Sequence, residues 1–414
     1  MQQQDMEKYK IECETRKYFE PDYVPICIFA IISSKLFQSG IILIFILLVL
    51  SLTIHGNFET NDRRKLRPWR FLFDKALPTI EVKKDTFEGL FSDYLKSIPK
   101  NEKLPNSIHE LKPHHVSVIG ALGDSLTIAS RSNDYESQNN VYTQFPANSW
   151  MTGTSENHLS VHNILNFLSE KRGVRLFGGS CGQGYGDHTN FNVAVGGRTS
   201  EDLPRQAEDL VNRMKKEKEL DIDNSWKLIS LWIGTNDLGY DVDPPVPEEV
   251  YKKSVETALQ HLKTHLPRTL VAIVEPCPPQ LFLEAPYLIE NEKRNGTEKQ
   301  QETRTNFTNG YRKALYEIQN EGKFNDDAFT VVVQPFIAGH DDAYRNKFGA
   351  YDQSFYTWDK FHLSKLGNAL LAKSFWQGLF ESSTVKNQKA DLTDTSANIF
   401  VPTYEKAIIR TISN

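Results

Sequence analysis

Ser125 stands in the stretch GALGDSLTIASRS, residues 120–132, straight after a short apolar run and close to two glycines. A serine hydroxyl is a weak nucleophile alone, and it does chemistry only beside a base, an acid that orients the base, and an oxyanion site. The chain supplies those residue types far downstream, in WDKFHLSKLG at 358–367. His362 can take the serine's proton and hand it to a leaving group. Asp359, three residues earlier, can fold back and fix the tautomer and orientation of the imidazole. Three donors suit an oxyanion: the backbone N–H groups of Ser125 and Gly197, and the side-chain amide of Asn236 in GTND at 234–237. Gly197 has no Cβ, which leaves room for a substrate to approach.

Taken singly, each signal has a plain reading. GDS is a common turn with an N-capping serine. GTND is by itself a turn, and an Asp–His pair is often structural. Their placement changes the balance. Five short apolar runs read as strands: VSVIGAL from 116, FNVAV from 191, KLISLWIG from 227, TLVAIVE from 269 and FTVVVQPF from 329. Runs apolar on both faces suit a parallel sheet covered on both sides. Amphipathic helices alternate with them. Leu203, Ala207, Leu210, Val211 and Met214 make one stripe, Val255, Leu259, Leu262 and Leu266 a second, and Leu366, Ala369, Leu370, Phe375 and Trp376 a third. The pattern predicts a doubly wound α/β sheet. Such sheets bind ligands beyond the C-terminal ends of their strands. Ser125 follows the first strand, Asn192 to Arg198 end the second, Asn236 follows the third, and Asp359 and His362 follow the fifth. All therefore fall on one edge.

The 414 residues divide into a polar segment 1–35, an apolar segment 36–55, a linker with an accessory helix 56–110, a body 111–382 and a polar tail 383–414. The run from Ile41 to Ile54 carries no charge and, extended back to Leu36, is about long enough to span a bilayer, as a signal anchor or a signal peptide. Arginines at 63, 64, 67 and 70 follow it, which by charge bias leaves the body cytoplasmic. Two sequons, at Asn295 and Asn306, argue the opposite. Phe87, Leu90, Phe91, Tyr94 and Leu95 have helical spacing and predict a helix packed on the body. A net charge of −5 without a basic stripe excludes nucleic acid as a partner. Four cysteines are no disulfide framework, although an oxidising compartment would permit one Cys181–Cys277 bridge. No zinc-ligand spacing implies a metal and no cofactor is expected. His114 and His115 read as surface residues, and Asp187 and His188 as loop polarity. GQGYG at 182–186 lacks the lysine of a phosphate loop, and the GxSxG elbow is absent.

GDSL at 123, NVAVGG at 192, GTND at 234 and DKFH at 359 together resemble the four blocks of the SGNH, or GDSL, hydrolases. VGGRTSEDLPRQAEDLV, WKLISLWIGTNDL and FTVVVQPF look more closely like the phospholipase B subgroup of membrane-associated lipases. The resemblance implies a flavodoxin-like three-layer α/β/α sandwich with a mainly five-stranded parallel sheet. It implies Ser125 as nucleophile, His362 as base, Asp359 as its acid, and Ser125, Gly197 and Asn236 around the oxyanion. It implies no cofactor and a lipid ester substrate, phospholipid or lysophospholipid, met at a membrane surface. Two departures stand out: LGYDVD after GTND has no cysteine, and Lys360 replaces the cysteine common between the acid and the histidine. The family works mainly outside the cytoplasm, which places the body in the lumen or outside the cell. Two rivals are a carbohydrate acetylesterase on the same site and a membrane-bound binding protein with a vestigial site.

Overall fold

The computed structural model describes residues 78–133, 144–239, 244–290 and 298–414. Four of the five apolar runs form strands: β1 Val116–Gly123, β2 Trp226–Trp232, β3 Thr269–Val274 and β4 Phe329–Gln334. They make one parallel sheet in the order β1-β2-β3-β4. Every residue of β2, β3 and β4 is buried, as unbroken apolar runs require. Gly123 pairs with Trp232, so β1 and β2 finish level and the turns that follow them lie side by side.

The fifth run departs from expectation. Residues 191–195 lie along the free edge of β1, with Ala121 N donating to Phe191 O (3.0 Å), Val193 N to Ala121 O (2.9 Å) and Val195 N to Gly123 O (3.2 Å). Yet they form an isolated bridge, not a strand. The Gly123 N–H, which would continue the ladder to Val193 O, donates to Gln206 Oε1 instead (2.8 Å). The Asn192 side chain gives its amide to Thr152 Oγ1 (2.9 Å) while its Oδ1 takes the Ala194 N–H (3.2 Å). The path still reverses here: from β1 the chain visits one side and then returns to β2 on the other. Such a switch opens a crevice at the strand ends.

The helices are α1 Lys84–Ser97, α2 Val161–Lys171, α3 Leu203–Lys216, α4 Glu248–His265, α5 Ala285–Glu290, α6 Glu298–Asn320 and α7 Lys365–Gly378. Ser160 and Ser364 cap α2 and α7 by accepting the N–H groups of Asn163 and Gly367. The α3 stripe is fully buried, as its spacing predicts. Helices α3, α4 and α6 pack as one layer, and α1, α2 and α7 as another. The accessory helix α1 packs as expected, with the Phe91 ring 6.0 Å from Phe167 of α2 and 6.3 Å from Trp376 of α7. The apolar run 36–55 and the N-terminal segment lie outside the described residues. Among the described residues no helix is long and apolar enough to cross a membrane.

Two expectations are corrected. The polar tail is part of the body: Leu392, Ile399, Ala407 and Ile409 are buried. Ile409 N donates to Leu111 O and Arg410 N to Leu379 O, each at 2.8 Å. His114 and His115 are not surface residues but are buried. His114 Nε2 donates to Glu102 Oε2 (2.7 Å), and His115 Nε2 lies 3.5 Å from Glu102 Oε1. Tyr404 of the tail donates to the same carboxylate (2.7 Å), with Arg172 at 3.1 Å and Lys112 at 3.4 Å. The ligand atoms of Glu102, His114 and His115 sit within 4.8 Å of one another. Two cations already neutralise that single carboxylate, so the cluster works as a joint between the tail, the end of α2 and the entry to β1.

The joint is sensitive to acid. Burial lowers His114 to about 4 and His115 to about 3. Burial pushes Glu102 up, but bonds from Tyr404 and His114 outweigh it and hold the group at about 2. Each group therefore binds fewer protons folded than unfolded. The stabilisation is complete above about pH 6.5, falls through the histidines first and then, below about pH 4.5, through Glu102. The melting temperature should drop between pH 6.5 and 4, and His115→Gln should flatten that slope; an unchanged slope by circular dichroism would contradict the assignment.

Candidate active site

The turn after β1 is built around a glycine no other residue can replace. Gly123 has φ +154°, and a Cβ there would lie 2.4 Å from both Trp232 O and Thr127 Oγ1. Gln206 of α3 fastens it, accepting the Gly123 N–H (2.8 Å) and donating to its carbonyl (2.9 Å). Asp124 Oδ1 then accepts the Leu126 N–H at 2.9 Å, closing a turn that continues as Thr127 and Ile128 donate to Asp124 O. Ser125 projects from this turn, 6% exposed. Its backbone N–H donates no bond among the described residues.

A second loop faces the first. Gly197 has φ +77°, its N–H is likewise unspent among the described residues, and a Cβ there would meet nothing within 4 Å. Asp237 locks this loop in place. Both its oxygens accept the Ser200 N–H at 3.0 Å, and Oδ1 also accepts the Ser200 hydroxyl. Asn236 Nδ2 donates to Arg198 O at 2.8 Å and lies 3.5 Å from Asp124 Oδ2. One amide proton is therefore committed, and the other makes only a long contact. Tyr185 completes the loop by accepting the Gly196 N–H at 2.9 Å.

The third element precedes α7. Lys360, at φ +57°, turns the chain back on itself. Asp359 Oδ1 can then accept the N–H groups of Phe361 (3.0 Å) and His362 (2.9 Å) and the Thr357 hydroxyl (2.7 Å). Oδ2 pairs with His362 Nδ1 at 2.7 Å. Burial raises the carboxyl's pKa, but the bonds from His362 prevail and hold it well below the ordinary range. Asp359 is thus an ionised partner on His362 Nδ1, and Nε2 makes no hydrogen bond among the described residues. The Phe361 ring stands edge-on to the imidazole at 4.7 Å. Ser125 Oγ and His362 Nε2 are not hydrogen-bonded among the described residues, and such contacts commonly tighten only around substrate.

The remaining expectations sort cleanly. Asn306 is exposed on α6, whereas Asn295 lies outside the described residues. Cys277 is a buried free thiol, so the Cys181–Cys277 bridge does not form. His188 bonds Gly184 O within its own loop (3.1 Å). Sequence reading missed Gln206, Asp237 and Tyr185 as supports, and it missed Arg131, whose guanidinium donates to Asp359 Oδ2 at 3.0 Å. Asp237 at least lies inside GTND, where its motif could have flagged it.

Residues 119–375 match the family described as GDSL-like lipase/acylhydrolase. The chain belongs to this family. The match runs from within the first strand into the last helix and contains all three elements of the site. Curated relatives include the membrane-associated phospholipase B1 of Homo sapiens, 29% identical over 80% of this chain and 23% of that protein. The Rattus norvegicus protein of the same name is 29% identical over 86% of this chain and 25% of its own length. The chain thus spans about a quarter of these relatives. A solved GDSL-like lipase from Parabacteroides merdae is 18% identical, covering 63% of this chain and 94% of that one with a TM-score of 0.36.

The two glycines should respond differently to alanine. Gly123→Ala forces a clash with backbone and should cost about 2 kcal/mol or more in urea unfolding. Gly197→Ala meets no atom and should cost only about 1 kcal/mol, for the left-handed backbone.

Proposed function

We propose that this GDSL family member hydrolyses the acyl esters of phospholipids or lysophospholipids through an acyl-enzyme on Ser125. The Asp359–His362 pair, held at 2.7 Å on the same sheet edge as the Ser125 turn, carries the reading. His362 Nε2 takes the hydroxyl proton as Ser125 Oγ bonds to the ester carbonyl carbon. Asp359 stabilises the imidazolium without taking its proton. The carbonyl oxygen becomes an oxyanion, met by the unspent N–H groups of Ser125 and Gly197 and by the uncommitted amide proton of Asn236. As the C–O bond breaks, imidazolium protonates the departing alcohol. Water, deprotonated by His362, then attacks the acyl carbon and releases the fatty acid and Ser125.

The phospholipid assignment draws on the similarity to membrane-associated phospholipase B1 and on the surface beside Gly197. A cavity of about 420 Å³ opens there, lined by Arg198, Arg205, Asp202 and Asp209 among others. The guanidiniums suit a headgroup phosphate, whereas the carboxylates already hold arginines, Asp202 with Arg198 at 3.6 Å and Asp209 with Arg213 at 2.8 Å. We read the three layers as flavodoxin-like. We also read the body as working in the lumen or outside the cell, behind the apolar segment 36–55, at a membrane surface. The sequons and the membrane-associated relatives favour that side.

A fluorophosphonate should label Ser125 stoichiometrically, and the protein should turn over long-chain phospholipid or lysophospholipid. Ser125→Ala should abolish both with an unchanged circular dichroism spectrum. Turnover retained in that variant ends the assignment. Turnover of acetylated sugars alone would move it to an acetylesterase, and absence of labelling would mark a binding protein. Asn236→Ala should lower kcat by roughly a hundredfold or more. For the headgroup, Arg198→Ala with Arg205→Ala should raise KM for phospholipid roughly tenfold and leave a neutral nitrophenyl ester unaffected; equal effects on both would remove the cavity from recognition.

A further inference from the structure

One cation reaches the acid–base pair from the far end of the turn that carries Ser125. Arg131 Nη1 donates to Asp359 Oδ2 at 3.0 Å, the same oxygen that His362 Nδ1 holds at 2.7 Å. Both partners are largely enclosed, with side chains 16% and 14% exposed. The segment delivering the guanidinium is shaped for it. Ala129 and Arg131 both sit at left-handed φ, +59° and +60°, which non-glycine residues adopt only against a steric cost. Between them Ser130 N donates to Ser125 O at 2.9 Å, and the buried Ser130 hydroxyl donates to Gln144. Arg131 is therefore tied to the peptide of Ser125 itself. The guanidinium also stands over the Trp358 ring, 5.2 Å from its centroid, next to Asp359 in the chain.

We propose that Arg131 is a positioning residue that docks the Asp359–His362 loop onto the Ser125 turn and sets, by its charge, how far into acid the imidazole remains a base. The inference rests on the roles proposed above for Ser125 and His362. A cation shared on Oδ2 offsets part of the carboxylate charge that the imidazole faces. Removing the cation should let the ring protonate at higher pH. Other charges approach the imidazole too. Lys360 is adjacent but paired with Glu290 of α5. Phe361, against the ring, packs 6.3 Å from Phe282 in the segment that carries Glu284 and Glu290. Asp124 lies behind Ser125. Substitution at Arg131 leaves all of these in place.

Arg131→Gln and Arg131→Lys separate charge from geometry, since both keep the left-handed backbone penalty unchanged. On a soluble short-chain ester, Arg131→Gln should lower kcat by about tenfold or more with KM within about twofold. The acid limb of its kcat/KM profile should move up by about half a pH unit or more. Arg131→Lys keeps the charge but not the planar fork, so its kcat should fall while its acid limb stays in place. NMR titration of the His362 ring, assigned through its loss in His362→Asn, gives a readout independent of turnover: its midpoint should rise in Arg131→Gln and not in Arg131→Lys. An unmoved midpoint in Arg131→Gln, a moved one in Arg131→Lys, or an effect on KM alone overturns the proposal. A wild-type protein that neither hydrolyses esters nor binds fluorophosphonate overturns the hydrolase reading instead, and the ring titration still decides Arg131.

Discussion

Five donors converge on the Asp359 carboxylate: the Phe361 and His362 amides, the Thr357 hydroxyl, His362 Nδ1 and Arg131 Nη1. A partly buried carboxylate with fewer partners would take up a proton and lose its hold on the imidazole. With all of them it stays ionised, and everything at the site is arranged around that charge. The loop must double back to offer two amides, and Lys360 does this at φ +57°. Helix α7 must start immediately afterwards, and Ser364 caps it. The Ser125 turn must lie within reach of a guanidinium six residues further on.

The resemblance leads one to expect a cysteine where Lys360 stands. The structure shows what this chain does at that position. Lys360 Nζ pairs with Glu290 at the end of α5, so an ion pair reaches from the acid–base loop to a neighbouring helix. A disulfide would restrain the loop covalently in both folded and unfolded states. An ion pair with a half-exposed carboxylate restrains it weakly and only when folded. The Arg131 contact, more enclosed than the Lys360 pair, then carries a larger share of the task of holding the loop.

What the sequence makes legible is set by range. The four strands are short unbroken apolar runs whose meaning is local, and they appear where expected. The motif residues are legible because each sits next to a strand end, and the parallel order brings those ends to one edge. Where a residue's fate depends on a distant partner, reading fails. His114 and His115 look like polar residues before a strand, and only the arrival of Glu102 and Tyr404 explains their burial. The tail is polar on average, but its few apolar residues are the ones that pack. Arg131 meets a partner 228 positions away, and no periodicity records that. FNVAV fails differently: its composition suits a strand, yet the Gly123 N–H that would extend its pairing is taken by Gln206, a residue 83 positions away.

Three aspartates along one sheet edge show how the same side chain is sorted into different roles. Asp124 is fully enclosed with one firm donor, Leu126 N–H, and burial, with the charge of Asp237 beside it, raises it to about 7. Asp237 is raised by burial to about 6 despite its bonds from Ser200. Asp359, with five donors, is driven the opposite way. Burial thus pushes the two acids at the serine turn and the facing loop up toward neutrality, while the bonds on the one beside the histidine hold it charged. That asymmetry is chemically useful. On the roles proposed for Ser125 and His362, full negative charge beneath the oxyanion would oppose its formation, and negative charge at the imidazole would favour proton uptake from the serine. Burial sets the first condition and donor number the second. The turn and the Asp359–His362 loop therefore have different surroundings: the β1 and β2 ends close under the core, while the segment before α7 is only partly enclosed and its carboxylate is ringed by amides and a guanidinium.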